Sequence, residues 1–144
     1  MKIVLQRVTS AEVAVDGKIC GKIGKGFLIL FGVGKGDTEK DCERLADKII
    51  NLRIFSDENG RINLSLKDVG GSILVVPQFT LYADCRKGNR PNFMQAGSPD
   101  EANKLFEYFA GYCEKKGQHT ERGIFGADMK VSLLNDGPFT VILE

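Results

Sequence analysis

The twelve residues LLNDGPFTVILE (residues 133–144) decide how the rest of the chain is read. Apolar residues on both sides, Leu133 and Leu134 before, then Val141, Ile142 and Leu143 after, suit a strand. A hairpin turn between them would need only Asp136-Gly137, because type I′ turns take positive φ at both central residues. Pro138 goes further. It fixes its own φ, restricts Gly137, and removes a backbone donor where the outgoing strand begins. So stiff a dipeptide, where a floppy turn would serve, points to a role for its rigidity.

Outward from that stretch, the chain alternates strands and helices. In residues 1–34, Asp16-Gly17 is a hairpin signal, and FLILFGV is apolar enough for a strand buried on both faces. Residues 37–55 (DTEKDCERLADKIINLRIF) predict a helix with Thr38 as N-cap and acidic residues in its first turn. Its buried face is expected to hold Cys42, Leu45, Ala46, Ile49 and Ile50. DENG (57–60) turns the chain, and GSILVVPQFTL (71–81) predicts a second buried strand.

The second helix is more strongly marked. Within residues 97–117, Ser98 caps, Pro99 takes the first helical position and Glu101 completes a capping box. Ala102, Leu105, Phe106, Phe109, Ala110 and Cys113 form a core stripe that ends near Lys115, Lys116 and Gly117. Residues 119–144 close the chain with strands. The sum is a single domain over 1–144, of mixed α and β type, in which two helices cover a strand-rich body.

Composition excludes several classes. With 42% hydrophobic and 27% charged residues the chain is of soluble globular type, and a net charge of +1 argues against a strongly basic nucleic-acid binder. Cys20, Cys42, Cys85 and Cys113 are spread without a C-x-x-C pair and, with no signal peptide, read as reduced thiols of a cytoplasmic protein. The longest apolar run is too short to span a membrane. His119 is the only histidine and no ligand-spaced cluster exists, so neither metal nor cofactor is expected.

A conventional catalytic apparatus is missing. Thr80 has a hydroxyl without an adjacent activator. Cys85 has Arg86, Lys87 and Arg90 nearby, but no base is identifiable beside it. GKIGKG (21–26) and GVGKGD (32–37) match neither phosphate-loop pattern. Two readings remain open from residues alone: a thiol hydrolase using Cys85 and His119, and a non-catalytic RNA-binding platform whose cations are Arg86, Lys87 and Arg90.

Taken together, PQFTLYAD (77–84) and NDGPFTV (135–141) resemble the two signature motifs of the D-aminoacyl-tRNA deacylases, also called D-tyrosyl-tRNA deacylases. LQRV (5–8), RIFSDENG (53–60), NRPNF (89–93), SPDEA (98–102) and GIFGADM (123–129) extend the likeness along the whole chain. The resemblance implies largely antiparallel sheets partly closed like a barrel, with two helices on one side, in a homodimer. It implies hydrolysis of the ester between a D-amino acid and the 3′-terminal adenosine of tRNA, a chiral proofreading step that spares L-aminoacyl-tRNA and also removes glycine. On this likeness Gln78, Phe79 and Thr80 form the catalytic pocket. Gly137-Pro138, joined by a cis bond, is the chiral filter, inserted into the partner subunit's site with both carbonyls pointing the same way. Phe125, Met129 and Ala102 shape the adenosine side, and Arg7 braces the Gly-Pro loop. Arg86, Lys87 and Arg90, with Lys115, Lys116 and Lys130, are the expected phosphate contacts. The family usually has serine where this chain has Pro77, which supplies neither a hydroxyl nor an N–H.

Overall fold

A computed structural model describes all residues, 1–144. The framework is one long hairpin. β1 (Lys2–Val15) turns at Asp16 and Gly17, both at positive φ, into β2 (Lys18–Ile23). After a break at residues 24–25, β3 (Gly26–Gly32) continues along the same edge of β1: Ala11 faces Ile23, and Val8 faces Gly26. The other edge of β1 carries β8 (Lys130–Leu143), also antiparallel. β6 (Ser72–Pro77) and β7 (Thr120–Arg122) extend the sheet from β3 in parallel fashion, to give the order β2-β1-β3-β6-β7. The sheet is therefore mixed, with antiparallel pairing at β1 and parallel pairing beyond β3.

The two ends of the sheet curl toward each other into a nearly closed barrel. Gly21 on β2 marks the approach: a Cβ there would lie 3.0 Å from Leu74 Cδ1 on β6 and 3.2 Å from the Arg122 carbonyl on β7. Gly26 is tighter still, since a Cβ would fall 1.8 Å from the Ser72 carbonyl oxygen. Only glycine lets β3 and β6 come this close.

Both faces of the central strands are buried, as the unbroken apolar run in β3 requires. Phe27, Ile29, Phe31, Ile73 and Val75 face the helices α1 (Glu39–Asn51) and α2 (Pro99–Lys115). Leu28, Leu74 and Val76 alternate to the opposite face, where they meet Val8, Val13 and Ile23 inside the barrel. The Asp41 carboxylate accepts the Thr38 N–H at 2.8 Å and the Thr38 hydroxyl at 3.0 Å, starting α1. In α2 the Ser98 Oγ accepts the Glu101 N–H at 3.4 Å and donates to the Glu101 carboxylate at 3.0 Å. All six stripe residues of α2 are buried; on α1 Ile50 is half-buried while the other four are buried. A small hairpin, β4 (Phe55–Ser56) and β5 (Ile62–Leu64), brackets the DENG turn.

Two sequence expectations change. The strand expected over 71–81 stops at Pro77, and Phe79–Tyr82 coil into a 3₁₀ turn. Proline at the strand end leaves the ladder without a donor. Residues 136–139, in turn, make no hairpin: β8 runs through them. Asn135 pairs with Val8 and Thr140 with Gln6, so four residues of β8 stand opposite the single residue Arg7. The segment is forced out of the ladder as an enlarged bulge.

No helix is long and apolar enough to cross a membrane. Cys42 and Cys113 are fully buried on the facing sides of α1 and α2, and burial pushes both thiols from the ordinary 9.0 up to about 12. Cys20 and Cys85 are exposed. A thiol reagent at neutral pH should therefore titrate two thiols in the native protein and four in denaturant. Because both folded pKa values are raised, the stability they contribute is complete below pH 9 and lost between pH 9 and about 12. Denaturation midpoints at pH 7 and pH 10 check the sign: the pH 10 midpoint should be lower.

Candidate functional site

The site begins where β6 ends. Pro77 closes the strand, and Gln78 donates its N–H to the Phe31 carbonyl at 2.8 Å, fixing the chain to β3. The backbone then turns at Gln78 (φ −145°, ψ 77°) into the 79–82 turn. The first amides of a helical turn have no partner within it, and the Phe79 and Thr80 N–H groups make no hydrogen bond in the chain. The Gln78 amide Nε2 donates to the Thr80 hydroxyl, which holds that side chain on the turn.

A cavity of about 500 Å³ opens beside this turn. Its wall combines Val76–Phe79, Gly97, Pro99 and Ala102 at the start of α2, and Phe125–Met129 from the loop between β7 and β8. Of the expected residues, Gln78, Phe79, Ala102, Phe125 and Met129 are thus brought together. Gly123 is what admits Met129, since a Cβ there would lie 2.7 Å from the methionine sulfur. Thr80 stands just outside the lining and touches it through Gln78. The lining is mostly apolar. Its one ionisable side chain, Asp128, pairs with Lys130 at 3.2 Å on the surface. Gly97, Pro99 and the Gly126–Asp128 turn have no place in the site on the sequence reading, where Pro99 serves as the first helical position and 123–129 enters only through the likeness.

Arg7, Gly137 and Pro138 lie elsewhere. None of them lines this cavity. Arg7 is buried beneath the bulge, where its Nε donates to the Asp136 carbonyl at 2.9 Å and its Nη1 to the Ile54 carbonyl at 2.6 Å. Its guanidinium also lies 4.7 Å from the Phe139 ring centroid, and Asn135 Oδ1 accepts the Phe139 N–H at 2.7 Å. The loop is therefore held from below while Gly137 and Pro138, joined by a cis bond, are exposed at its tip.

The cations sort themselves by their partners. Arg86 forks onto Asp84 at 2.7 and 2.9 Å, and this side-chain hydrogen bonding holds the Asp84 carboxyl down to about 2. Lys116 pairs with Asp47 and Lys130 with Asp128. Lys87, Arg90 and Lys115 are exposed and make no ion pair. His119 faces Glu121 at 3.2 Å, and neither His119 nor Cys85 lines the cavity.

Fold and cavity together define a small protein with a nearly closed mixed sheet, whose site offers shape and main-chain donors where an acid–base pair would otherwise stand. The chain belongs to the D-Tyr-tRNA(Tyr) deacylase family, whose model matches residues 4–144. Proteins named D-aminoacyl-tRNA deacylase from Thermosipho melanesiensis and Bacillus cereus are 57% and 55% identical to it. Each alignment covers the whole of this chain, and 97% and 99% of those relatives. A solved structure titled c-Myc DNA Unwinding Element Binding Protein superposes with a TM-score of 0.94 at 41% identity, covering 100% of this chain and 98% of that one. Another, titled as a "probable eukaryotic D-amino acid tRNA deacylase", shares the fold with a TM-score of 0.81 at 20% identity, covering 99% and 97%.

Proposed function

We propose that this chain hydrolyses the ester joining a D-amino acid to the 3′-terminal adenosine of tRNA, returns free tRNA and D-amino acid, and spares the L ester. What carries the reading is an apolar cavity at the Gln78-Phe79 turn, with unused main-chain donors and no general base, in a chain of this family.

An aminoacyl ester is already activated, so orientation and oxyanion stabilisation suffice. Water attacks the carbonyl carbon, the π pair of the carbonyl moves onto its oxygen, and the Phe79 N–H donates a hydrogen bond to that oxyanion. Collapse breaks the bond to the ribose 3′ oxygen, which leaves as the alcohol with the proton that the attacking water gives up. The neighbouring 2′-hydroxyl of the substrate is placed to relay that proton, so no histidine is needed. The Gln78 N–H is occupied by Phe31, which leaves Phe79 and Thr80 as the donors available. Thr80 serves by holding Gln78, while Phe125, Met129 and Ala102 receive the adenosine. Metal and cofactor have no part in this chemistry.

Handedness is supplied across a homodimer. Gly137-Pro138 is exposed, braced by Arg7 and absent from the lining of its own cavity, so a filter made of it acts on a second copy. The unpaired outer edge of β8, with Leu134 and Ile142 62% and 69% exposed, offers the surface for that copy. A rigid main-chain wall rejects the wrong hand whatever the side chain is. The same wall has nothing to reject in glycine, so glycyl-tRNA is also cleaved. Lys87 and Arg90, with Arg86 less available, hold phosphates of the acceptor end, and the enzyme acts in the cytoplasm, where tRNA is charged.

Deacylation of matched D-tyrosyl- and L-tyrosyl-tRNA by the purified protein tests the reading. The D ester should disappear rapidly while the L ester decays at its spontaneous rate. Equal spontaneous decay of both overturns it, and tight RNA binding without turnover would favour the RNA-platform reading instead.

A further inference from the structure

The NRPNF stretch (89–93) has so far no role beyond likeness and one phosphate contact, and its phenylalanine sits in an informative place. The Phe93 ring meets the Phe79 ring edge-on, with centroids 4.9 Å apart and planes at 61°. Phe79 is otherwise 53% exposed, so it needs an external support to keep one orientation. Edge-to-face pairs of this geometry are favourable beyond the area they bury.

Phe93 is itself pinned from both sides. Asn92 exchanges two backbone hydrogen bonds with Asp84, at 2.8 and 3.1 Å, and so ties the loop to the end of the 79–82 turn. On the other side Gln95 accepts from the Lys35 N–H at 3.0 Å and Gly97 donates to the Val33 carbonyl at 2.9 Å. The Phe93 carbonyl accepts the Ala96 N–H at 3.1 Å, closing a tight turn between these anchors. The loop is a strut that runs from the segment after β3 to the 79–82 turn, with the aromatic contact at its middle.

We infer that Phe93 is a positioning residue: its ring holds Phe79, and through it the two free N–H groups of Phe79 and Thr80, at the cavity. The inference rests on the deacylase reading above. Losing the ring lets the turn drift, and small displacements of a preorganised donor cost rate more than binding.

The test compares Phe93→Ala and Phe93→Tyr with the wild type in steady-state deacylation of D-tyrosyl-tRNA, alongside amide NMR spectra. Phe93→Ala should lower kcat by about tenfold with KM within a factor of two, and Phe93→Tyr, which keeps the ring, should restore kcat. In the spectra the Phe79 and Thr80 amides should shift and broaden in Phe93→Ala, while Val75 and Val76 stay in place. Unchanged kcat, a loss carried wholly by KM, or unmoved Phe79 and Thr80 amides each overturn the inference. The NMR arm needs no turnover: an inactive wild type would count against the deacylase reading, and the amide spectra would still decide the role of Phe93.

Discussion

Phe79→Pro is expected to slow hydrolysis of the D ester by about 10²–10³-fold, the usual cost of deleting one oxyanion donor. Proline removes the N–H at issue together with the ring, and it fits the backbone, because its φ near −65° suits the first position of a helical turn. Gln78 before it is already outside the α region, at φ −145° and ψ 77°, so the proline ring forces no rearrangement there. The control is Phe79→Ala, which loses the ring and keeps the amide. It should resemble Phe93→Ala, with a loss of about tenfold, and the remaining difference belongs to the N–H. Single-turnover rates with both variants check this. Equal rates for proline and alanine would remove the main-chain amide from the mechanism and return attention to the Gln78 side chain.

Arg7→Ala is expected to cost about 3 kcal/mol of stability, seen as a fall in thermal midpoint of roughly 6–12 °C. The guanidinium is buried and serves two carbonyls in different parts of the fold, those of Asp136 and Ile54. Truncation leaves both without a donor and removes the cation facing the Phe139 ring. Arg7→Lys should recover part of the loss, since one ammonium cannot reproduce the planar fork. Function should move in the same variant for a separate reason. With its brace gone, the 136–139 bulge can relax, and the ratio of D to L hydrolysis should fall by about tenfold or more. A destabilised Arg7→Ala protein with full discrimination would separate the bulge from the filter.

Much of the fold was legible because its cues are local. The capping residues Thr38 and Ser98, the stripe from Ala102 to Cys113, the Asp16-Gly17 turn and the doubly buried β3 all follow from spacing and turn chemistry within short windows. Composition predicts a strand that continues past Pro77 to Leu81, and the structure ends it at Pro77. QFTL has strand-like composition, and nothing local says that Gln78 will spend its N–H on Phe31 and free the next two amides.

The site divides along the same line. Motif likeness named Gln78, Phe79, Ala102, Phe125 and Met129, but their assembly around one cavity joins β6, the start of α2 and the loop before β8. Tertiary structure alone placed Gly123 under Met129, and Arg7 opposite four residues of a strand more than a hundred positions away. The reason is range. Propensity, capping and periodicity act over a few residues, whereas the register between β1 and β8, and the ion pair that takes Lys116 onto Asp47, are fixed only when distant segments meet. By itself the sequence determined which segments become helix or strand and which dipeptide is stiff; packing decided what that dipeptide stands on, and that it takes no part in lining the cavity of its own chain.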